Sequence, residues 1–82
     1  MKRNAALLVE ILIALQDSPY EELTTVDLRD TLKETTHSEY SVSEVRHHAH
    51  LLGDRGLVDS SNRGHRLTAS GHDYLESVIR KG

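Results

Sequence analysis

Residues 41–58 read Ser41-Val42-Ser43-Glu44-Val45-Arg46-His47-His48-Ala49-His50-Leu51-Leu52-Gly53-Asp54-Arg55-Gly56-Leu57-Val58, and this stretch decides the fold. Ser41 and Glu44 make a capping-box pair. The hydroxyl accepts the backbone N–H three residues on, and the carboxylate reaches back to the serine N–H. A helix is therefore predicted over about 42–55. Val45, Ala49 and Leu52 recur at i, i+4 and i+7 and line its inner face. His48 sits beside them as a core-edge histidine, which needs a buried hydrogen-bond partner. Ser43, Arg46, His47 and His50 fall on the outer face. Gly56 stands where a helix ends on a left-handed residue.

Downstream, Leu57-Val58-Asp59 and His65-Arg66-Leu67-Thr68 flank a Ser/Asn/Gly turn over 60–64, the pattern of a hairpin. Thr68 caps a last helix over roughly 69–80, with Leu75, Val78 and Ile79 inward and Tyr74 at the edge. Upstream, the polar residues 35–41 read as a loop. Thr24 or Thr25 caps a helix over about 26–34 with Leu28 and Leu32 inward, and Leu23 to Thr25 suit a short strand. Ser18-Pro19 closes a first helix over roughly 3–17, because proline disfavours a helical residue before it.

That first helix carries Leu7, Leu8, Ile11, Leu12 and Leu15 on one face, with Val9 and Ile13 on the other. A helix apolar almost all round has two burial partners. One is the domain core. The second is either the last helix of the same chain or another copy of the chain. The second option makes Val9, Ile13, Leu75, Val78 and Ile79 the expected interface of a homodimer.

The order helix, short strand, helix, helix, hairpin, helix is that of a winged helix-turn-helix, mainly α with a small β-hairpin, as one domain over residues 1–82. With 82 residues there is room for one core only. The chain has no Cys, Trp or Phe, so Leu, Ile, Val and Ala must build the core. The same absences exclude disulfides and thiolate metal sites, and leave no aromatic platform for single-stranded nucleic acid.

The formal charge is −3, and it is unevenly spread. Residues 1–41 hold four Lys and Arg against eight acids; residues 42–82 hold six against five, with five of the six His. The halves are expected to face different partners. Lys2-Arg3 before the apolar run 5–15 imitates a signal peptide. Glu10 interrupts the run, no small-residue cleavage site follows, and the run is too short to cross a bilayer. The expectation is no membrane association and a cytoplasmic location.

Some of these residues are familiar. His48-Ala49-His50-Leu51-Leu52 followed by Gly56-Leu57-Val58 resembles the recognition helix of arsenical-resistance-type winged-helix repressors, where a Leu-Leu pair, three residues and Gly-Leu-Val lead into the wing. Leu67-Thr68-Ala69-Ser70-Gly71 resembles the Leu-Thr-x-x-Gly after the wing in such repressors, including the multiple-antibiotic-resistance type. More of the chain is similar to a small phage and prophage family known only as a domain of unknown function. The shared pieces are the Met1-Lys2-Arg3 start, His48-x-x-Leu51-Leu52-x-x-x-Gly56-Leu57, and Arg66-Leu67-Thr68-x-x-Gly71-His72-Asp73-Tyr74-Leu75. Gly71 to Leu75 is the most specific piece. The resemblance implies a winged-helix fold in a phage or bacterial setting, and no particular activity.

On that fold the third helix would enter the major groove. Arg46 suits guanine as a two-pronged donor, Ser43, His47 and His50 suit bases or phosphates, and Arg63, His65 and Arg66 on the wing suit the backbone or minor groove. The expected function is a phage-type transcription regulator on duplex DNA, without catalysis. The alternative is a phage-encoded winged helix that binds and inhibits a host protein complex, of the defence or transcription machinery, through the acidic residues 17–39. His47-His48-x-His50 and His72-x-x-x-Glu76 have metal-ligand spacing, but without Cys or a third ligand they read as solvated histidines, so no metal and no cofactor are expected. No phosphate loop or nucleophile elbow occurs, and His72 and Asp73 are adjacent on a helix and point apart, so no enzyme is expected.

Overall fold

The computed structural model describes residues 2–81, the side chains of Arg80 and Lys81 excepted. Met1, the first residue of the resemblance drawn above, lies outside the described residues. Four helices and one hairpin follow in the order α1 Ala5–Asp17, α2 Thr25–Thr36, α3 Val42–Asp54, β1 Val58–Ser61, β2 Gly64–Leu67 and α4 Ala69–Lys81.

Each helix starts on a side-chain acceptor that satisfies an otherwise orphaned N–H. Asn4 caps α1 through Leu7 N–H, Thr24 caps α2 through Asp27 N–H, and Thr68 Oγ1 takes the Gly71 N–H at 3.0 Å in α4. In α3 both arms of the Ser41/Glu44 capping box are present. Gly56, with φ 74°, turns the chain out of α3 as its position predicted.

The boundaries differ from expectation at α2. It runs to Thr36, not to residue 34. Thr35 and Thr36 are poor helix formers on paper, yet their hydroxyls donate back to the carbonyls of Thr31 and Leu32 at 3.0 and 2.8 Å. His37, at φ 59°, supplies the left-handed cap in place of a glycine. The strand expected at 23–25 shrinks to a single antiparallel bridge, Leu23 to His65, because Thr25 already opens α2.

The hairpin is longer than the sequence suggested. Val58 pairs with Leu67, Asp59 with Arg66, Ser60 with His65 and Ser61 with Gly64, which leaves Asn62 and Arg63 as the two-residue turn. The Leu23 bridge adds a third backbone segment beside β2.

The core is aliphatic. Leu7, Ile11 and Leu12 of α1 meet Leu28 and Leu32 of α2, Val45 and Leu52 of α3, and Leu75 of α4, all fully buried. Each such leucine contributes about 1.5–3 kcal/mol by leaving water. α1 packs against α2, α3, α4 and β2, so it is the axis on which the others assemble.

One residue expected at a dimer interface has another position here. Leu75 is 0% exposed inside the monomer and is not available to a second copy. Ile13 lines a groove between α1 and α2. Val9 packs half-buried against the core, Val78 is half-buried, and Ile79, expected inward, is exposed.

Candidate functional site

The outer face of α3, the start of α2 and the hairpin enclose a cleft of about 540 Å³. Arg46 and His50 line it from α3, Thr24, Thr25 and Val26 from α2, and Ser60, Ser61 and Asn62 from the hairpin. The juxtaposition follows from the fold. The Leu23 bridge holds the start of α2 against β2, with Leu23 N–H donating to His65 O at 3.1 Å and His65 N–H to Leu23 O at 2.7 Å. Val45, Ala49 and Leu52 pin the opposite face of α3 to the core, so Arg46 and His50 must point away from it.

His65 forms the base of the cleft. It is 5% exposed, its Nδ1 lies 2.6 Å from Ser60 Oγ, and its Nε2 lies 2.9 Å from Thr25 Oγ1. Burial pushes its pKa below the usual 6.5, and the nearby His50 and Arg46 charges push it further down. This corrects its expected role. His65 has both ring nitrogens occupied within the chain, so it fastens the hairpin to α2 instead of reaching out to a ligand. Leu67, two residues on, shows why: residues i and i+2 of a strand share a face, and Leu67 faces the core.

The other predicted contact residues divide by what already holds them. Ser43, Arg46 and His50 are exposed along α3, and no ion pair engages Arg46 among the described residues. His47 is half-buried, with its ring edge-on to His48 at 5.4 Å. Arg63 is exposed at the tip of the hairpin. Arg66 is exposed but pairs across the strands with Asp59 at 3.2 Å, which offsets its charge locally. The exposed candidates are therefore Ser43, Arg46, His50 and Arg63, with Arg66 partly neutralised.

His48 has the buried partners its position demanded. It is 1% exposed; its Nδ1 donates to the Glu44 carbonyl at 2.7 Å, and its Nε2 accepts the Asn4 N–H at 2.9 Å. A carbonyl only accepts and an amide N–H only donates, so the proton sits on Nδ1. The ring ties the N-cap of α1 to the back of the outward-facing helix.

Thr24, Thr25, Ser61 and Asn62 were not singled out from the sequence. Their hydroxyl and amide groups join the site through a backbone bridge between residues 42 positions apart. Ser/Thr chemistry at a helix start is the one available signal in the sequence, and by itself it indicates capping. Among the described residues no group of three or more His, Cys, Asp and Glu is placed to hold a metal ion, and no helix is long and apolar enough to cross a membrane.

No protein-family model, no curated protein and no solved structure matches the chain.

Proposed function

We propose that this chain is a winged helix-turn-helix of phage type that binds duplex DNA and regulates transcription in the cytoplasm of a bacterial host. The observation that carries the reading is the placement of exposed Arg46 and His50 of α3 opposite the hairpin, with the start of α2 between them. α2 and α3 are then the helix pair, α3 is the helix presented to the major groove, and β1–β2 is the wing. Arg46 reads a base edge as a two-pronged donor. Arg63 at the wing tip and the Thr24, Thr25 and Asn62 side chains meet the sugar–phosphate backbone.

The site carries few free cations, so one monomer binds weakly and two copies on paired half-sites raise the affinity. Ile79, exposed near the end of α4 beside half-buried Val78, is apolar surface of α4 open to that pairing. The test is selection from a random-sequence duplex pool. A recovered motif with a guanine whose preference relaxes in Arg46→Ala supports the reading. Recovery of no motif at low salt contradicts it.

A further inference from the structure

A second groove lies on a different face from the cleft, and its chemistry is the opposite. It has a volume of about 700 Å³ between α1 and α2. On α1 it is lined by Glu10, Ile13, Ala14 and Asp17, the i, i+3, i+4 and i+7 positions of a single stripe. On α2 it is lined by Asp27, Asp30, Thr31 and Glu34, again at i, i+3, i+4 and i+7. Tyr20 and Leu23 close one end. The α1 stripe thus sets Ile13 and Ala14 between two carboxylates, and the α2 stripe facing it carries three more. Its lining contains no Lys, Arg or His.

Some of this charge is held within the chain. Asp30 pairs with Arg29 at 3.0 Å, and Glu10 accepts the Tyr40 hydroxyl at 3.1 Å. Asp17, Asp27 and Glu34 make no ion pair among the described residues. The acidic groups are also too dispersed to hold a metal ion, as no metal-binding group of three occurs among the described residues. Meanwhile Ile13 and Tyr20 stay 36% and 70% exposed beside them. Exposed Ile13 and Tyr20, flanked by unpaired like charges, form a surface whose complement is apolar in the middle and cationic at its edges.

We propose that the α1–α2 groove is a docking site for a basic amphipathic helix of a partner protein. Such a helix lays a leucine-type stripe on the exposed Ile13 and Tyr20, over the buried Ala14 and Leu23, while Lys or Arg on its two flanks meets Asp17 on one wall and Asp27 and Glu34 on the other. This is helix-in-groove recognition with charge setting the orientation. It does not depend on the DNA reading. The carboxylates repel a phosphate backbone, so the two faces have partners of opposite charge, and both can be occupied at once.

The test uses the full chain and a labelled synthetic peptide of about 18 residues, long enough to form a helix, with Leu at i, i+3, i+4 and i+7 and Lys on both flanks. Controls are a scrambled peptide of the same composition and a plain lysine peptide of the same charge. Binding is followed by fluorescence anisotropy, and the site by backbone amide shifts. The amphipathic peptide is expected to shift the Ile13, Ala14 and Leu23 amides. The double reversal Asp17→Lys/Glu34→Lys, at two exposed positions, is expected to weaken it about tenfold. A matching peptide with Glu on its flanks is expected to bind that variant in its place. Equal binding of the scrambled or plain lysine peptide would overturn the proposal, since charge alone would then suffice. So would absence of the Ile13, Ala14 and Leu23 shifts. Self-association of the unmodified chain that Glu34→Lys abolishes would also overturn it, by showing that a second copy fills the groove.

Discussion

At the scale of single residues, the two buried histidines account for much of how the candidate site is held. His48 joins Asn4 at the start of α1 to Glu44 in α3, and both of its bonds are fixed in direction. His48→Ala removes a fully buried ring and leaves the Asn4 N–H without its acceptor. A loss of about 2–4 kcal/mol is expected in urea unfolding. His65 gives a pH signature. Its folded pKa lies below the usual 6.5, so the unfolded chain takes up a proton first as pH falls. Its contribution to stability is therefore complete above about pH 6.5 and declines as pH drops from there through the lowered folded value. Unfolding midpoints between pH 8 and pH 5 should fall more steeply in the unmodified chain than in His65→Gln. Parallel curves would contradict that account of His65. Its burial was legible in principle: Leu67 faces the core, and alternation carries His65 to the same side. The charge of the neighbouring Arg63 and Arg66 masks that period-two signal in the sequence.

At the scale of elements, α3 was the most legible because three independent signals agree on it: the capping box, the Val45/Ala49/Leu52 spacing and Gly56. The end of α2 was not legible, since its last two residues are threonines and its left-handed cap is a histidine. The ending is closed by the hydroxyl-to-carbonyl bonds within the helix together with the His37 N–H to the Lys33 carbonyl. The base of α4 offers a sharper test. Ala is ordinarily better than Gly in a helix by about 0.5–1 kcal/mol. At Gly71, however, an added Cβ would run into the Leu57 carbonyl and the Leu67 side chain. That backbone neighbour cannot rotate away, so overpacking outweighs propensity and Gly71→Ala should lose about 1–3 kcal/mol in thermal melts. A gain in stability would show that α4 does not sit this close to the hairpin. The same contact gives the Gly71-His72-Asp73-Tyr74-Leu75 stretch a packing role: Gly71 lets α4 approach, Leu75 fills the core, and Tyr74 lies beneath the Arg55 guanidinium at 5.2 Å.

At the scale of the whole molecule, charge separates two faces. The net −3 argues against tight nonspecific binding to nucleic acid, but the acidity is concentrated toward α1 and α2, while Arg46, His50 and Arg63 stand on and around the cleft. That division was legible as a count along the chain. What the count could not show is that acids of α1 and α2 line facing stripes beside Ile13, or that Thr24 and Thr25 join the opposite face, since both depend on packing between distant segments. Pairing of two copies is expected through α4. Ile79→Asp should convert a dimer to a monomer in sedimentation, whereas Leu75→Ala should lower stability, with its side chain already inside the core. Monomer alone at high protein concentration would remove the dimer from the account.

Binding of duplex DNA by α3 and the hairpin has a signature in a salt titration. With Arg46 and Arg63 as the free cations and Arg66 shared with Asp59, each monomer should release few counterions. The logarithm of affinity for a selected duplex should then fall against the logarithm of salt with a slope of about −2 to −3 per monomer. Arg46→Ala should weaken binding by about 1–3 kcal/mol and selectively at one base pair. Absence of binding at low salt, or affinity unchanged by Arg46→Ala, would contradict duplex binding by this face.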